Sequence, residues 1–203
     1  MRFKSTVVAL FVLGLFATGI FAGEKYEIDR SHSNVGFTVR HMMISKVNGE
    51  FKDFSGTIVY DEKDITKSSV NVTIKTASID TENERRDTHL RSDDFFNAAV
   101  DSVITFVSKR VEKQGDGYVA IGDFTLRGVT KEIALPFTIL GTLTEQNGNK
   151  RVGVEAKTTI NRFDYGVKWD RAFEPGNLVV ANEVAINLNI QAIARAPKPA
   201  GSN

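Results

Sequence analysis

The sequence contains no cysteine, only four prolines and one tryptophan among its 203 residues, and no excess of either charge. Without cysteine the protein has no disulfide, no cysteine-ligated zinc or iron–sulfur centre and no thiol nucleophile. The 26 basic and 25 acidic residues nearly cancel, whereas nucleic-acid-binding domains usually carry a positive excess, so we predict no nucleic-acid partner. The three histidines lack metal-ligand spacing, so we also predict no metal site and no cofactor.

The longest apolar run of the sequence stands at its N terminus. Arg2 and Lys4 precede an uncharged apolar stretch, and Ala22 provides a small residue for cleavage. This order is typical of a secretory signal peptide over residues 1–22, so we predict cleavage after about Ala22 and export to the periplasm. The alternative is a retained membrane anchor, which needs about 20 continuous apolar residues. We expect residues 23–195 to form one domain and residues 196–203 to be a disordered tail.

Apolar and polar residues alternate along most of the remaining chain. Val35, Phe37 and Val39 alternate with polar neighbours, and several later segments repeat this pattern. A period of two residues is the signal of half-buried β-strands. Short turn-forming stretches separate the segments, which favours antiparallel pairing of consecutive strands. The sequence therefore predicts an all-β protein, an antiparallel up-and-down β-barrel of about eight strands.

One stretch interrupts the alternation and predicts a short helical insert near residues 82–99. Its first half is rich in charged residues and its second half carries aromatic residues. Thr81 and Glu84 have the spacing of a capping box, which predicts a helix over residues 82–90 followed by a loop. An insert of this length between strands serves as a lid or as a packing element.

Polar residues near these elements allow both functional and structural interpretations. His41 shares the phase of Val35, so it lies either at the rim of a ligand cavity or hydrogen-bonded within the core. Arg86 could hold a phosphate or carboxylate. The charged residues of the insert could instead pair within the helix, as Asp87 with Arg91. No catalytic motif is specific, so we predict a binding protein rather than an enzyme.

The aromatic content leaves the interior of the barrel undecided. The chain has 14 phenylalanines, which bring apolar surface without a polar atom to satisfy. Eight strands enclose a space that side chains can just fill or that can hold one small ligand. A filled core and a ligand-binding lumen are therefore both compatible with the pattern.

A series of short motifs resembles one known family. The motifs are, in chain order, Tyr26-Glu27-Ile28-Asp29, the run from His32 to His41, Ser45-x-Val47-x-Gly49-x-Phe51, Arg86-Asp87-x-His89-Leu90-Arg91-Ser92-x-Asp94-Phe95-Phe96, Ile104-x-Phe106-x-Ser108, Leu126-x-Gly128-Val129-Thr130-Lys131, Asn161-Arg162-x-Asp164-Tyr165-Gly166 and Glu183-Val184. Together they resemble the YceI-like polyisoprenoid-binding proteins over about residues 24–195. The stretch from Arg86 to Phe96 is the most specific of them.

This resemblance implies a lipocalin-like antiparallel barrel that is exported to the bacterial periplasm. It also implies an apolar lumen that holds a long-chain isoprenoid or a similar amphiphilic lipid, such as a prenyl diphosphate or an isoprenoid quinone. Two alternatives are an interaction module for a quinone-using membrane protein and a hydrolase or isomerase acting on the bound lipid. A membrane-protein partner and a homodimer are both left open by the sequence.

Strand phase and the family resemblance together predict a ligand site in the lumen and at its mouth. Its predicted residues are Val35, Phe37, Val39, His41, Arg86, His89, Phe95, Phe96, Ile104 and Phe106. Arg86 has a second interpretation as a structural anchor paired with Asp87.

Overall fold

The structure is a computed structural model that describes residues 23–170, 172–174 and 177–197. Within these ranges the strands are Glu24–Ile28 (β1), Asn34–His41 (β2), Ser45–Phe51 (β3), Phe54–Tyr60 (β4), Ser69–Lys75 (β5), Ile79–Asp80 (β6), Val103–Gln114 (β7), Gly117–Leu126 (β8), Val129–Thr144 (β9), Lys150–Asn161 (β10), Ala172–Glu174 (β11), Asn177–Leu178 (β12) and Val180–Ala194 (β13). One α-helix, Glu84–Arg91 (α1), follows β6, and 3-10 turns cover Arg30–His32, Ile65–Lys67, Thr76–Ser78 and Arg162–Tyr165.

Eight of these strands close into an antiparallel barrel. The ring runs β1-β4-β5-β7-β8-β9-β10-β13 and returns to β1 through pairing of β1 with β13. Consecutive long strands are neighbours because short turns join them. The predicted all-β barrel of about eight strands is confirmed.

At one end of the barrel, β13 and the β2–β3 hairpin extend the wall. β13 pairs with β10 along one edge, while its other edge pairs first with β2 and then with β1. β2 and β3 form a hairpin that extends the wall, and Phe51 of β3 pairs with Ile79 of β6. We call this end of the barrel the helix end, because β6 leads there directly into α1.

The opposite end, which we call the closed end, is filled by the barrel's own side chains. A cluster of buried residues packs there, consisting of Tyr26, Tyr60, Val152, Ala192 and Ala194. The Tyr26 and Tyr60 rings meet edge to face with centroids 5.9 Å apart. Burial raises the pKa of Tyr26 to about 12, with a further contribution from the nearby Glu24 carboxylate.

Inward and outward residues alternate along the barrel strands, as the sequence predicts. On β8, Ala120, Phe124 and Leu126 are buried in one phase. Gly122 occupies the same phase, where a Cβ atom would lie 2.3 Å from the Val107 carbonyl oxygen. Glycine is therefore needed at this point, where the pairing of β7 with β8 shifts its register.

The predicted helical insert is present, but its capping differs from the prediction. The helix begins at Glu84, and the Asn83 side chain caps it by accepting the Arg86 amide at 3.0 Å. The predicted cap at Thr81 is wrong, because its hydroxyl donates to Asp87 Oδ1 at 2.5 Å. Asn83 is the N-cap because it lies directly before the first helical residue.

Some predictions concern residues outside the described ranges. The predicted signal peptide over residues 1–22 and residues 198–203 of the predicted tail lie outside the described ranges. Ala196, at the start of that tail, donates its amide to Asn149 Oδ1 at 3.0 Å. Among the described residues, no helix has both the length and the apolar character needed to cross a membrane.

Candidate functional site

The inner face of the barrel surrounds an apolar cavity of about 240 Å³. Alternate residues of the strands build its wall, for example Ile133, Leu135, Phe137 and Ile139 on β9 and Val184, Ile186, Leu188 and Ile190 on β13. Along β13 the lining extends from Val180 to Ile190. Ten residues span about 33 Å along the strand, and the tilt of barrel strands reduces this to about 25 Å along the barrel axis, which still accommodates an extended chain.

The phenylalanines do not fill this lumen. Inward-facing residues such as Ile186 and Leu188 are only half-buried, because part of their surface faces the cavity. One water needs about 10–15 Å³ of such volume, so the cavity is far larger than a packing defect. The structure thus decides between the two interiors that the sequence left open.

Very few polar side chains reach the cavity wall. Those in the described part of the chain are Tyr60, Ser68, Ser69, Thr158 and Arg162. Ser68 Oγ accepts the Asp61 amide at 3.0 Å, and Thr158 donates to the Ala134 carbonyl at 3.2 Å. With so few polar groups, and with Ser68 and Thr158 already bonded to the protein, the wall offers a ligand mainly hydrocarbon contacts.

Arg162 is the charged member of this lining, and it is only 4% exposed. Its guanidinium donates to the carbonyls of Val167 at 2.8 Å, Ala181 at 3.0 Å and Val180 at 3.1 Å. Burial lowers its pKa, and the charge of Asp170 opposes that shift. Arg162 therefore ties the turn after β10 to the start of β13 at the helix end.

Seven of the ten predicted site residues lie on the cavity wall. They are Val35, Phe37, Val39, Phe95, Phe96, Ile104 and Phe106. The strand residues reach it by the phase that the sequence indicated. Phe95 and Phe96 reach it because the loop after α1 folds over the helix end.

The insert covers the helix end through aromatic contacts. Leu90 and Phe96 reach the cavity, and the Phe96 ring meets Phe51 of β3 edge to face at 5.9 Å. On the outer side, Phe95 lies 5.3 Å from Trp169 between ring centroids. Aromatic pairs of this kind add to the apolar burial. The insert is thus a packed cover rather than a free loop.

His89 lies on this cover and outside the cavity wall. Its Nε2 is 2.8 Å from Asp94 Oδ2, and its ring lies edge-on to Phe95 at 4.9 Å and Trp169 at 5.7 Å. A shallow polar depression with charges of both signs lies beside it and includes Asp93, Asp94, Arg127, Lys168 and Asp170. Across the described ranges, no group of three or more side chains is suited to hold a metal ion.

Arg86 anchors the insert and does not line the cavity. Its Nε donates to Thr81 Oγ1 and its Nη2 to the Thr81 carbonyl, both at 2.6 Å. Asp87 accepts from the same threonine, so the two charged residues share a partner. The predicted pairing of Asp87 with Arg91 is wrong in its partner: Arg91 Nη1 lies 3.5 Å from Glu84 Oε1 within the helix, and Arg91 also donates to the carbonyls of Ala77 and Ile79.

His41 likewise does not line the cavity. It is half-buried and pairs with Ser45 and Val180 at the last position of β2. The pairing of β13 with β2 shifts register between Val180 and Val184. The extra residues of this shift lie on β13, and β2 keeps a regular register with β3, so His41 keeps the phase of Val39 but lies beyond the β2 residues that line the cavity.

Several cavity residues were missed in the sequence. Arg162 and Val167 come from a turn with no periodic pattern, and Leu90 comes from a helix. Ile65 comes from the 3-10 turn before β5, and Ser68 directly follows that turn. The remaining missed residues belong to strands, and alternation from Ile133 and Val184 would have found eight of them.

The arrangement matches known proteins along most of its length. The YceI-like domain family matches residues 26–192. Protein YceI of Escherichia coli O157:H7 is 41% identical over 169 residues, covering 82% of this chain and 88% of that protein. The crystal structure of the Campylobacter jejuni YCEI protein is 34% identical with a TM-score of 0.63, covering 84% of this chain and 96% of that one.

A more distant structure shares the fold. It is a polyisoprenoid binding domain from Saccharophagus degradans, 18% identical with a TM-score of 0.59, and the match covers 85% of this chain and 98% of that one. The long matches and their identities show that this chain belongs to the YceI family.

Proposed function

We propose that this protein is a periplasmic carrier that binds a long-chain isoprenoid or a similar amphiphilic lipid inside its barrel. The observation that carries the proposal is the apolar cavity, whose wall follows β13 from Val180 to Ile190. A long hydrocarbon chain is the ligand class that such a wall favours.

Apolar burial provides enough free energy for this binding. Each methylene moved from water into the lumen contributes about 0.8 kcal/mol. Ten buried methylenes therefore offset an association cost of several kcal/mol. Because this burial is non-directional, we expect the lumen to discriminate chain length better than chain identity.

The relatives support the same ligand class. A structural neighbour is a polyisoprenoid binding domain, and the sequence motifs resemble that group of proteins. A prenyl diphosphate or an isoprenoid quinone would supply the chain together with a polar head group. The signal peptide predicted over residues 1–22 supports a periplasmic location.

We propose binding without catalysis. A hydrolase or isomerase would need two convergent titratable groups beside the ligand. Among the described residues, the titratable groups on the cavity wall are Tyr60, at the closed end, and Arg162, at the helix end. Their placement at opposite ends favours a passive lumen.

Two neighbouring residues of β13 provide a matched test. Leu188 lines the cavity, whereas Asn189 is exposed on the outer face. We expect Leu188→Trp to fill the lumen and reduce isoprenoid quinone uptake at least tenfold, and Asn189→Trp to leave it unchanged. Uptake is measured by mass spectrometry of an organic extract after incubation of each folded variant with the quinone.

The same extract from wild-type protein, purified from its native host, identifies the bound lipid. A stoichiometric prenyl lipid or quinone is the expected result. Equal uptake by Leu188→Trp and wild type, with unchanged circular dichroism, would show that lipid does not enter the lumen.

A further inference from the structure

The turn between β2 and β3 presents three consecutive apolar residues to solvent. Met42 is 36% exposed, Met43 52% and Ile44 87%. Single exposed apolar residues are common on proteins. A run of three at the tip of a projecting hairpin is unfavourable for a soluble surface unless it has a function. We call these residues the hairpin tip.

The backbone of the hairpin tip is unfavourable for the residues it carries. Met42 has φ of 49° and Met43 has φ of 62°, and the Ile44 amide bonds to the His41 carbonyl at 3.2 Å. A β-turn whose two central φ angles are both positive favours Asn-Gly at these positions. Met43 is 52% exposed and Ile44 87%, so burial accounts for little of this choice of residues.

Positive charge flanks the hairpin tip. Arg40 and Lys46 are exposed and lie directly opposite each other in the β2–β3 pairing. Like charges in this position destabilise a hairpin. Within the described ranges, neither side chain has an ion-pair partner. An apolar hairpin tip flanked by two cations suits an anionic bilayer, where the apolar residues meet the acyl chains and the cations meet the headgroups.

The hairpin tip is continuous with the cavity wall. β2 carries Val39, which lines the cavity, two residues before His41 and the turn. The Met42 amide also bonds to the Val179 carbonyl at 2.8 Å, next to the lining residue Val180. Contact of the tip with a membrane would therefore place the helix end of the barrel against the lipid.

We propose that the hairpin tip docks this protein on an anionic lipid bilayer. The tip inserts Met43 and Ile44 below the headgroups while Arg40 and Lys46 contact phosphate groups. A bilayer fits better than a protein partner because a stable protein interface buries about 800 Å² on each side. Three residues at a hairpin tip cover much less, but they suffice for reversible interfacial anchoring.

Binding to protein-free vesicles tests this proposal. We expect wild-type protein to sediment with vesicles of phosphatidylglycerol and phosphatidylcholine, less with phosphatidylcholine alone, and less at high salt. Ile44→Asp should weaken this binding at least tenfold. Leu140→Asp is the matched control, because Leu140 is 60% exposed on the outer face of β9.

A second variant separates docking from any structural role of the turn. Met42→Asn combined with Met43→Gly installs the preferred turn, so we expect it to raise the melting temperature of the protein while weakening vesicle binding. A purely structural turn would gain stability with no change in vesicle binding, and that result would overturn the proposal.

The purpose of docking, but not docking itself, rests on the proposed lipid-carrier function. The vesicles contain no isoprenoid, and quinone uptake is measured separately without vesicles, so the docking proposal and the carrier proposal can fail independently of each other. Absence of wild-type vesicle binding, or equal binding by Ile44→Asp, would overturn docking. Binding only to vesicles that contain a membrane protein would also overturn it and indicate a protein partner.

Discussion

The two ends of the barrel are closed by different means. At the closed end, the wall strands fill the interior themselves with residues such as Tyr60, Val152 and Ala192, the last two at most 1% exposed. At the helix end, a separate segment covers the lumen and contacts the cavity through Leu90, Phe95 and Phe96. Between the two ends the lumen remains available to a ligand.

The attachments of the two ends differ in chemistry as well. The closed end is stabilised by apolar burial. In addition to the aromatic contacts of Phe95 and Phe96, the cover is fastened by arginines that donate to backbone carbonyls: Arg86 to Thr81, Arg91 to Ala77 and Ile79, and Arg127 to Phe95. A net hydrogen bond contributes about 0.5–1.5 kcal/mol, less than a buried aromatic side chain. Because the cover is a short segment outside the strand ladder, it should open at lower free energy than the wall.

The largest effect is expected from emptying the closed end. Tyr60→Ala removes a buried ring that packs against Tyr26, and we expect the free energy of unfolding to fall by about 3–5 kcal/mol. Urea unfolding followed by circular dichroism measures this change. Tyr60→Phe, which keeps the ring, is the control and should lose far less. Similar losses for both variants would contradict a closed end based on packing.

The inward-facing residues of the barrel wall could be predicted from the sequence, because side-chain direction along a strand depends only on neighbouring residues. Alternation along β2 and β7 placed Val35, Phe37 and Ile104 on the cavity wall without knowledge of their partners. Side-chain direction in a regular strand depends only on the count of residues. The same count placed His41 on the cavity wall as well, but β2 extends beyond the last lining residue before it reaches His41.

The fastening of the cover could not be predicted in the same way. Arg86 and Arg91 bond to backbone carbonyls, which every residue possesses, so no residue type marks the partner. Sequence reasoning therefore assigned carboxylate or phosphate partners to arginines that bind the main chain. The volume of the cavity was equally hidden, because it depends on how closely opposite walls approach.

A medium effect is expected from the charged cluster that joins β1 and β2 near the closed end. Asp29 accepts bonds from Ser31 Oγ at 2.6 Å, from Arg151 Nη1 at 2.8 Å and lies 2.9 Å from His32 Nδ1. The Ser31 bond foremost, then those of His32 and Arg151, hold the pKa of Asp29 well below its usual range. We expect Asp29→Asn to cost about 2 kcal/mol at pH 6.

The pH dependence of this effect follows from the lowered pKa. The stabilisation is present above the unfolded pKa of about 3.9 and is lost as pH falls through the folded value. The advantage of wild type over Asp29→Asn should shrink by about 1 kcal/mol between pH 6 and pH 3. Urea unfolding at both pH values measures it, and a constant advantage would exclude the charge of Asp29 as its source.

The smallest effect is expected from loosening the cover. Arg91→Lys keeps the charge but loses the planar fork that reaches the Ala77 and Ile79 carbonyls. We expect the cover to open more readily by about 1 kcal/mol, which lowers hydrogen-exchange protection of the Phe96 amide about fivefold. The Phe96 amide is a suitable probe because it bonds to the Leu90 carbonyl within the cover.

Arg110→Lys is the matched control for this exchange experiment. Arg110 bonds to Glu112 on the barrel wall and makes no contact with the insert among its described hydrogen bonds. Its replacement should leave protection of the Phe96 amide unchanged. In Arg91→Lys, amides that pair β1 with β4 at the closed end should keep wild-type protection. Equal loss at both ends would mean that cover and wall open together, because a single cooperative unit cannot lose protection in one part alone.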